Sequence, residues 1–152
     1  MTSDISMPSL TPRLIIDRVD DAIEFYRATL DAELVERYAL TNGVVLHAEL
    51  RIGCSTFSLT QRVDEWGLLS PDAIGGSPVL LRLEAQSPDA IASRMVERGA
   101  RVIIEIKDRP YGKREGRIRD PFVHFWALSA TTEQLTPAET ERRLNSPVFI
   151  DC

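Results

Sequence analysis

Two side chains near the middle of the chain carry the chemistry for acid–base or ligand work. His47 and Glu49 stand two residues apart in the run VLHAELRI. Residues i and i+2 of a strand share a face, so the pair can approach one ligand together. An imidazole changes charge near neutrality, and a neighbouring carboxylate can accept or return a proton. The sequence also allows a quieter arrangement, in which Glu49 pairs with a nearby arginine and His47 is a satisfied rim residue. Six further residues have the character of pocket walls: Arg13, Phe57, Trp66, Tyr111, Arg114 and Phe125. Aromatic rings with a few placed charges suit a planar or amphipathic organic ligand. His124 alternates with Phe125 and shares a face with Phe122, Trp126 and Leu128, so it reads as a buried structural histidine. The basic run from Arg109 to Arg119 reads as a solvated strand face rather than an anion site. No phosphate-binding loop, nucleophile elbow or Ser–His–Asp order is visible.

These side chains need a scaffold, and 152 residues provide one domain or two small modules. Hydrophobic residues make up 43% and charged residues 27%, which is ordinary for a globular chain. The net charge of −5 argues against an electrostatic nucleic-acid binder, which needs a basic patch. No apolar run approaches the roughly 20 residues needed to span a bilayer. The opening MTSDISMPSL has an acid and no apolar stretch, so no secretory leader is expected. The two cysteines, Cys54 and Cys152, form no metal or redox spacing, and the expected compartment is the cytoplasm.

Periodicity then supplies the elements. Thr11 to Asp17 is short and β-branched, a strand. Asp20 to Leu30 places Ala22, Ile23, Tyr26 and Leu30 at helical spacing, with two aspartates at the positive end of the dipole. Glu33 to Tyr38 is a second strand, and Asn42-Gly43 is a hairpin turn. Val44 to Ile52 alternates strictly, with Leu46, Ala48 and Leu50 opposite His47, Glu49 and Arg51. Ser55 to Leu59 is a fourth strand, with Phe57 and Leu59 on one side and Thr56 and Ser58 on the other. Residues 61–77, rich in Gly, Pro and Asp, read as a linker loop. The plan then repeats over 78–130: a strand at Val79–Ala85, a helix with Ser87 as N-cap and Pro88 at its first position, a stop at Gly99, a strand at Arg101–Ile106, and two arms around Asp120-Pro121. Asp21-Ala22-Ile23 recurs as Asp89-Ala90-Ile91, 68 positions later. A last helix over 136–145 opens with a capping box at Thr136-Pro137-Ala138-Glu139.

The order Thr11-Pro12, Asp21–Tyr26 (DAIEFY), His47-Ala48-Glu49-Leu50, Tyr111-Gly112, Arg119-Asp120-Pro121-Phe122, and His124 with Trp126 resembles the vicinal oxygen chelate superfamily, also known as the glyoxalase, bleomycin-resistance and dioxygenase fold. Within it the chain is most like PhnB-like proteins, and LTPAETERR near the C-terminus shares that likeness. The resemblance implies an α+β fold: two βαβββ modules, at 10–60 and 78–130, forming an open, cup-shaped mixed sheet, with a short C-terminal helix. It also implies a homodimer and a small-molecule ligand. One departure is Val123, where the family usually has Gly after Asp-Pro-Phe. A β-branched residue disfavours positive φ, so this turn must be reshaped or strained.

Family enzymes hold a divalent metal with side chains from four strands. Carried across by the resemblance, those positions fall at Thr11, Ser58, Leu80 and Ala127, an offset of 69 relating the two halves. Such a site needs imidazole or carboxylate donors. Leucine and alanine have none, and a shift of register by one residue finds no better set. The expectation is therefore a protein without a metal cofactor, binding a small aromatic or amphipathic molecule as a drug-sequestering resistance protein or ligand sensor. The alternative is a metal-dependent lyase, isomerase or dioxygenase with an unusual ligand set including His47 and Glu49.

Overall fold

A computed structural model describes residues 7–146 of the chain; most of the N-terminal tail and Cys152 lie outside them. The chain divides after Ser70 into two compact units, each carrying the same order of elements.

In the first unit, strand β1 (Arg13–Ile16) leads into helix α1 (Val19–Leu30), then β2 (Glu33–Ala39), β3 (Val45–Ile52) and β4 (Ser55–Gln61). The sheet order is β1-β4-β3-β2, with β1 parallel to β4 and the other pairs antiparallel. One face packs on α1. Ala22, Ile23, Tyr26 and Leu30, spaced at helical period, are buried with Leu14, Ile16, Ala48, Leu50, Phe57 and Leu59. The Tyr26 ring meets Phe57 edge-on at 5.4 Å. Arg37 grips Asp20 with two bonds of 2.9 and 3.0 Å, tying β2 to the start of α1. The expected turn at Asn42-Gly43 is present: Gly43 has φ 90°, and the Asn42 side chain accepts from the Val44 amide.

Residues 61–77 contain more structure than their composition implied. A 3₁₀ turn spans Asp64–Trp66 and helix α2 spans Pro71–Ile74.

The second unit repeats the plan with β5 (Leu80–Glu84), α3 (Pro88–Glu97), β6 (Arg101–Arg109), β7 (Lys113–Arg119) and β8 (Phe125–Thr131), in the order β5-β8-β7-β6. Its core is Ala92 and Met95 from α3 against Ile118, Trp126 and Leu128. Ser87 occupies the N-cap position but its hydroxyl makes no capping bond. Strand β6 runs three residues beyond the expected Ile106, through two register shifts against β7. Gly116 permits this: a Cβ there would stand 2.5 Å from the Ile104 carbonyl oxygen. Arg109 staples the irregular segment by donating to the Glu105 and Glu115 carbonyls. Helix α4 (Pro137–Leu144) is capped by Thr136, whose hydroxyl accepts from the Glu139 amide at 3.1 Å. Glu139 does not return the capping bond. It holds Arg142 and Arg143 instead, which push its carboxyl down to about 2.

The β7–β8 connection is built on Asp120, 2% exposed. One carboxylate oxygen accepts from the amides of Phe122 and His124 at 2.9 and 3.0 Å; the other accepts from the Trp126 indole at 2.9 Å. The Asp120 amide donates to the His124 carbonyl, and the Val123 amide to the Asp120 carbonyl. His124 is buried in this turn, as its face predicted. Val123 sits at φ 70°, so the departure from glycine is accommodated as backbone strain.

Two substitutions test this turn. V123G should raise stability by about 0.5–1 kcal/mol, because the relief of left-handed strain exceeds the entropy glycine adds to the unfolded chain. D120N should lower it by about 2–3 kcal/mol, since an amide nitrogen would face the Trp126 N–H donor. Urea unfolding followed by tryptophan fluorescence measures both. A destabilised V123G or a neutral D120N would contradict the account.

Candidate functional site

Each sheet has one face on a helix and one face free of its own unit's helix. The odd-numbered residues of β1 and the even-numbered residues of β4 lie on the free face of the first sheet, because Leu14, Ile16, Phe57 and Leu59 point into the core. There the structure brings Arg13 and His47 together. The Arg13 guanidinium donates to His47 Nδ1 at 2.6 Å and to the Ser58 hydroxyl at 3.2 Å. Arginine has no acceptor, so Nδ1 carries no proton. The imidazole proton is then on Nε2, which faces Glu36 Oε1 at 3.0 Å. The second oxygen of Glu36 accepts from the Tyr38 hydroxyl at 2.7 Å, and the Tyr38 ring stacks on the imidazole at 5.6 Å. The bonds from Tyr38 and then His47 hold the Glu36 carboxyl below the usual range, and Glu36 in turn raises the Tyr38 phenol. Both imidazole nitrogens are thus committed to protein groups.

Glu49 lies on the same face, in register with Ser58 on one side and Glu36 on the other. Neither Glu36 nor Tyr38 was singled out from the sequence. Their i, i+2 spacing in ELVERYA was the available signal, but the register shift after Leu34 hides which strand residue meets His47.

The free face of the second sheet is concave. A cleft of about 560 Å³ is floored by Ala127 and walled on its apolar side by Leu80, Ile104 and Tyr111. Arg82, Arg109, Lys113 and Arg117 supply four cations around it, with Glu115 the acid in its lining. Tyr111 donates to Glu115; burial first, then this bond, pushes the phenol up to about 12, so it remains a proton donor across the physiological range. Phe125 is half-buried on the same face as Ala127, in register with Leu80.

The remaining sequence candidates fall elsewhere. Phe57 is 6% exposed and packs on Tyr26, so it belongs to the core. Arg114 faces the helix side, where it clasps Asp89 of α3 with two bonds of 2.8 and 2.9 Å. It lowers the Asp89 carboxyl and ties β7 to α3. Trp66 is 63% exposed on its 3₁₀ turn. The basic run after Arg109 is not one solvated face. Alternation sends Lys113 and Arg117 to the cleft and Arg114 to the helix.

The donor set does not suit a divalent cation. Leu80 and Ala127, two of the positions that the resemblance carries across for metal ligands, line the cleft, and neither can donate. Among the described residues, no three His, Cys, Asp or Glu side chains cluster as ligands. His47 is available to an ion only after losing Arg13 or Glu36.

The tautomer of His47 is directly measurable. Long-range ¹H–¹⁵N spectra of the neutral histidine rings should give an unprotonated Nδ1 and a protonated Nε2 for His47, and R13Q should abolish that preference. An Nδ1–H form in the unaltered protein would contradict the network.

The sequence profile of the Glyoxalase/Bleomycin resistance protein/Dioxygenase superfamily matches residues 9–128. An uncharacterised Mycobacterium bovis protein is 32% identical over 142 residues, covering 91% of this chain and 93% of its own. Among solved structures, a PhnB protein from Bacillus cereus superposes with a TM-score of 0.63 at 17% identity, over 82% of this chain and 100% of that one. The fosfomycin resistance protein FosX of Listeria monocytogenes, crystallised with Mn(II) and sulfate, superposes with a TM-score of 0.64 at 17% identity, over 93% and 99%. The two repeated βαβββ units and the profile match together place the chain: it belongs to the glyoxalase/bleomycin resistance protein/dioxygenase superfamily.

Proposed function

We propose that this protein binds a small organic molecule on its open sheet faces without a divalent metal, in the manner of a sequestering or sensing protein. One observation carries the reading: Leu80 and Ala127 put hydrocarbon in a cleft of about 560 Å³ at the positions where the family's enzymes need donors. A cleft of this volume, with an apolar wall and a few fixed polar groups, suits a drug-sized or smaller ligand. The commitment of both His47 nitrogens to Arg13 and Glu36 speaks against the alternative set built on His47 and Glu49.

A homodimer belongs to the same proposal. Val102, Ile103 and Ile104 are each more than two-fifths exposed on β6, an edge strand. Exposed apolar edges are covered by partners or become sites of aggregation.

The test is calorimetric titration of the full chain with a panel of small aromatic and amphipathic compounds, in EDTA and again with added Mn(II), Ni(II) or Zn(II). Saturable binding with the same affinity in both conditions is expected. Binding that needs the metal, or turnover that appears only with it, would favour the enzyme alternative. Failure of every compound to bind would overturn the proposal.

A further inference from the structure

The two units place equivalent rows of residues across their sheets. In the first, register aligns Arg13, Ser58 and Glu49 across β1, β4 and β3. In the second, it aligns Arg82, Ala127 and Arg117 across β5, β8 and β7. The offset of 68 or 69 therefore exchanges Ser58 for Ala127 and Glu49 for Arg117. The second row has lost a hydroxyl and a carboxylate and gained a guanidinium.

Resting on the metal-free reading above, we propose that this row is an oxyanion clamp, and that the ligand of the second unit's cleft is a small organic anion. Its carboxylate or phosphonate lies over Ala127 between Arg82 and Arg117, and its apolar body lies against Leu80, Ile104 and Tyr111.

Charge and spacing both support this. Four cations border the cleft, against Glu115 and the Glu84 carboxylate that pairs with Arg82 at 2.8 Å. Positive charge is left over in a concave site, where low-dielectric walls strengthen its field. Arg109 is held on main-chain carbonyls, which fix its position but leave its charge uncompensated. Lys113 donates to the Thr131 hydroxyl, which in turn donates to Glu84, so this one carboxylate is shared between Arg82 and Lys113. Among the described residues the Arg117 side chain makes no hydrogen bond or ion pair. Strands next but one to each other are about 10 Å apart. Two arginine side chains from such strands can close on one oxyanion, and the methyl group of Ala127 leaves the floor low enough to admit it. Guanidinium forks match carboxylate and phosphonate oxygens in pairs.

The probes are benzoate, phenylphosphonate and the neutral benzamide, titrated calorimetrically into the full chain in EDTA. Both anions should bind more tightly than benzamide by about tenfold or more, and their affinity should fall as salt is raised. R117Q should weaken the anions about tenfold and leave benzamide unchanged. E84Q, which frees Arg82 from its partner, should tighten the anions up to about fivefold. Thermal melts of both variants check that they fold. The relative strength of the two anions distinguishes a carboxylate from a phosphonate clamp. Benzamide binding as tightly as the anions, or anion binding unchanged in R117Q, would overturn the clamp while leaving metal-free binding intact. No binding by any of the three probes, with binding elsewhere in the wider panel, would overturn the clamp alone. No binding by either set would overturn both.

Discussion

The buried carboxylate of Asp120 closes the turn that brings the two central strands of the second sheet, β7 and β8, together. It does so by accepting two backbone amides and the Trp126 indole. A charge taken out of water is tolerated only when its oxygens are satisfied, and here three donors meet it. The turn fixes the register of the strand pair, and a one-residue slip would turn every side chain to the other face. Arg117 meets Ala127, and Ala127 meets Arg82, in the register in which Asp120 holds the Trp126 indole and Trp126 and Leu128 are buried. The positive φ of Val123 shows how strongly this turn is determined, since a β-branched residue is kept where glycine would be relaxed.

The same scaffold carries different chemistry in its two halves. The first free face is a closed circuit: Arg13, His47, Glu36 and Tyr38 satisfy one another. Such a network is rigid and leaves its imidazole little freedom to bind an ion. The second free face is unbalanced, with positive charge around an apolar hollow. A repeated unit can diverge in this way because the helix-side residues supply most of the core. Tyr26, Phe57 and Leu59 do that in one half, and Met95, Ile118 and Trp126 in the other. On the opposite face, residues other than Arg109 and Gly116, which hold β6 to β7, can change with little effect on that core.

Much of this is legible in the sequence. Strict alternation in Val44–Ile52 gave a strand and its two faces, Asp120-Pro121 gave a turn, and the recurrence of Asp-Ala-Ile pointed to the repeat. The pairing of Arg13 with Ser58 and of Arg82 with Ala127 agrees with the offset of 69. What alternation cannot say is which face meets the helix. Phe57 was read as a wall residue for that reason, although its separation from Ser58 was correct. The basic segment after Arg109 was read as one surface because the extent of β6 and β7 was unknown; the break at Gly116 and the register shifts of β6 depend on contacts between backbones. Glu36 and Tyr38 became visible only once β2 was laid against β3. At Val123 the family's usual glycine and the β-branch together left two outcomes, a reshaped turn or a strained one, and the positive φ is the strained one.

If hydrocarbon truly replaces metal ligands here, the protein should leave its host without a resident ion. Elemental analysis of the full chain, purified with no chelator at any step, measures this most directly. The account predicts every transition metal at well under one ion per chain. Stoichiometric zinc, nickel, manganese or iron, retained through gel filtration, would contradict it.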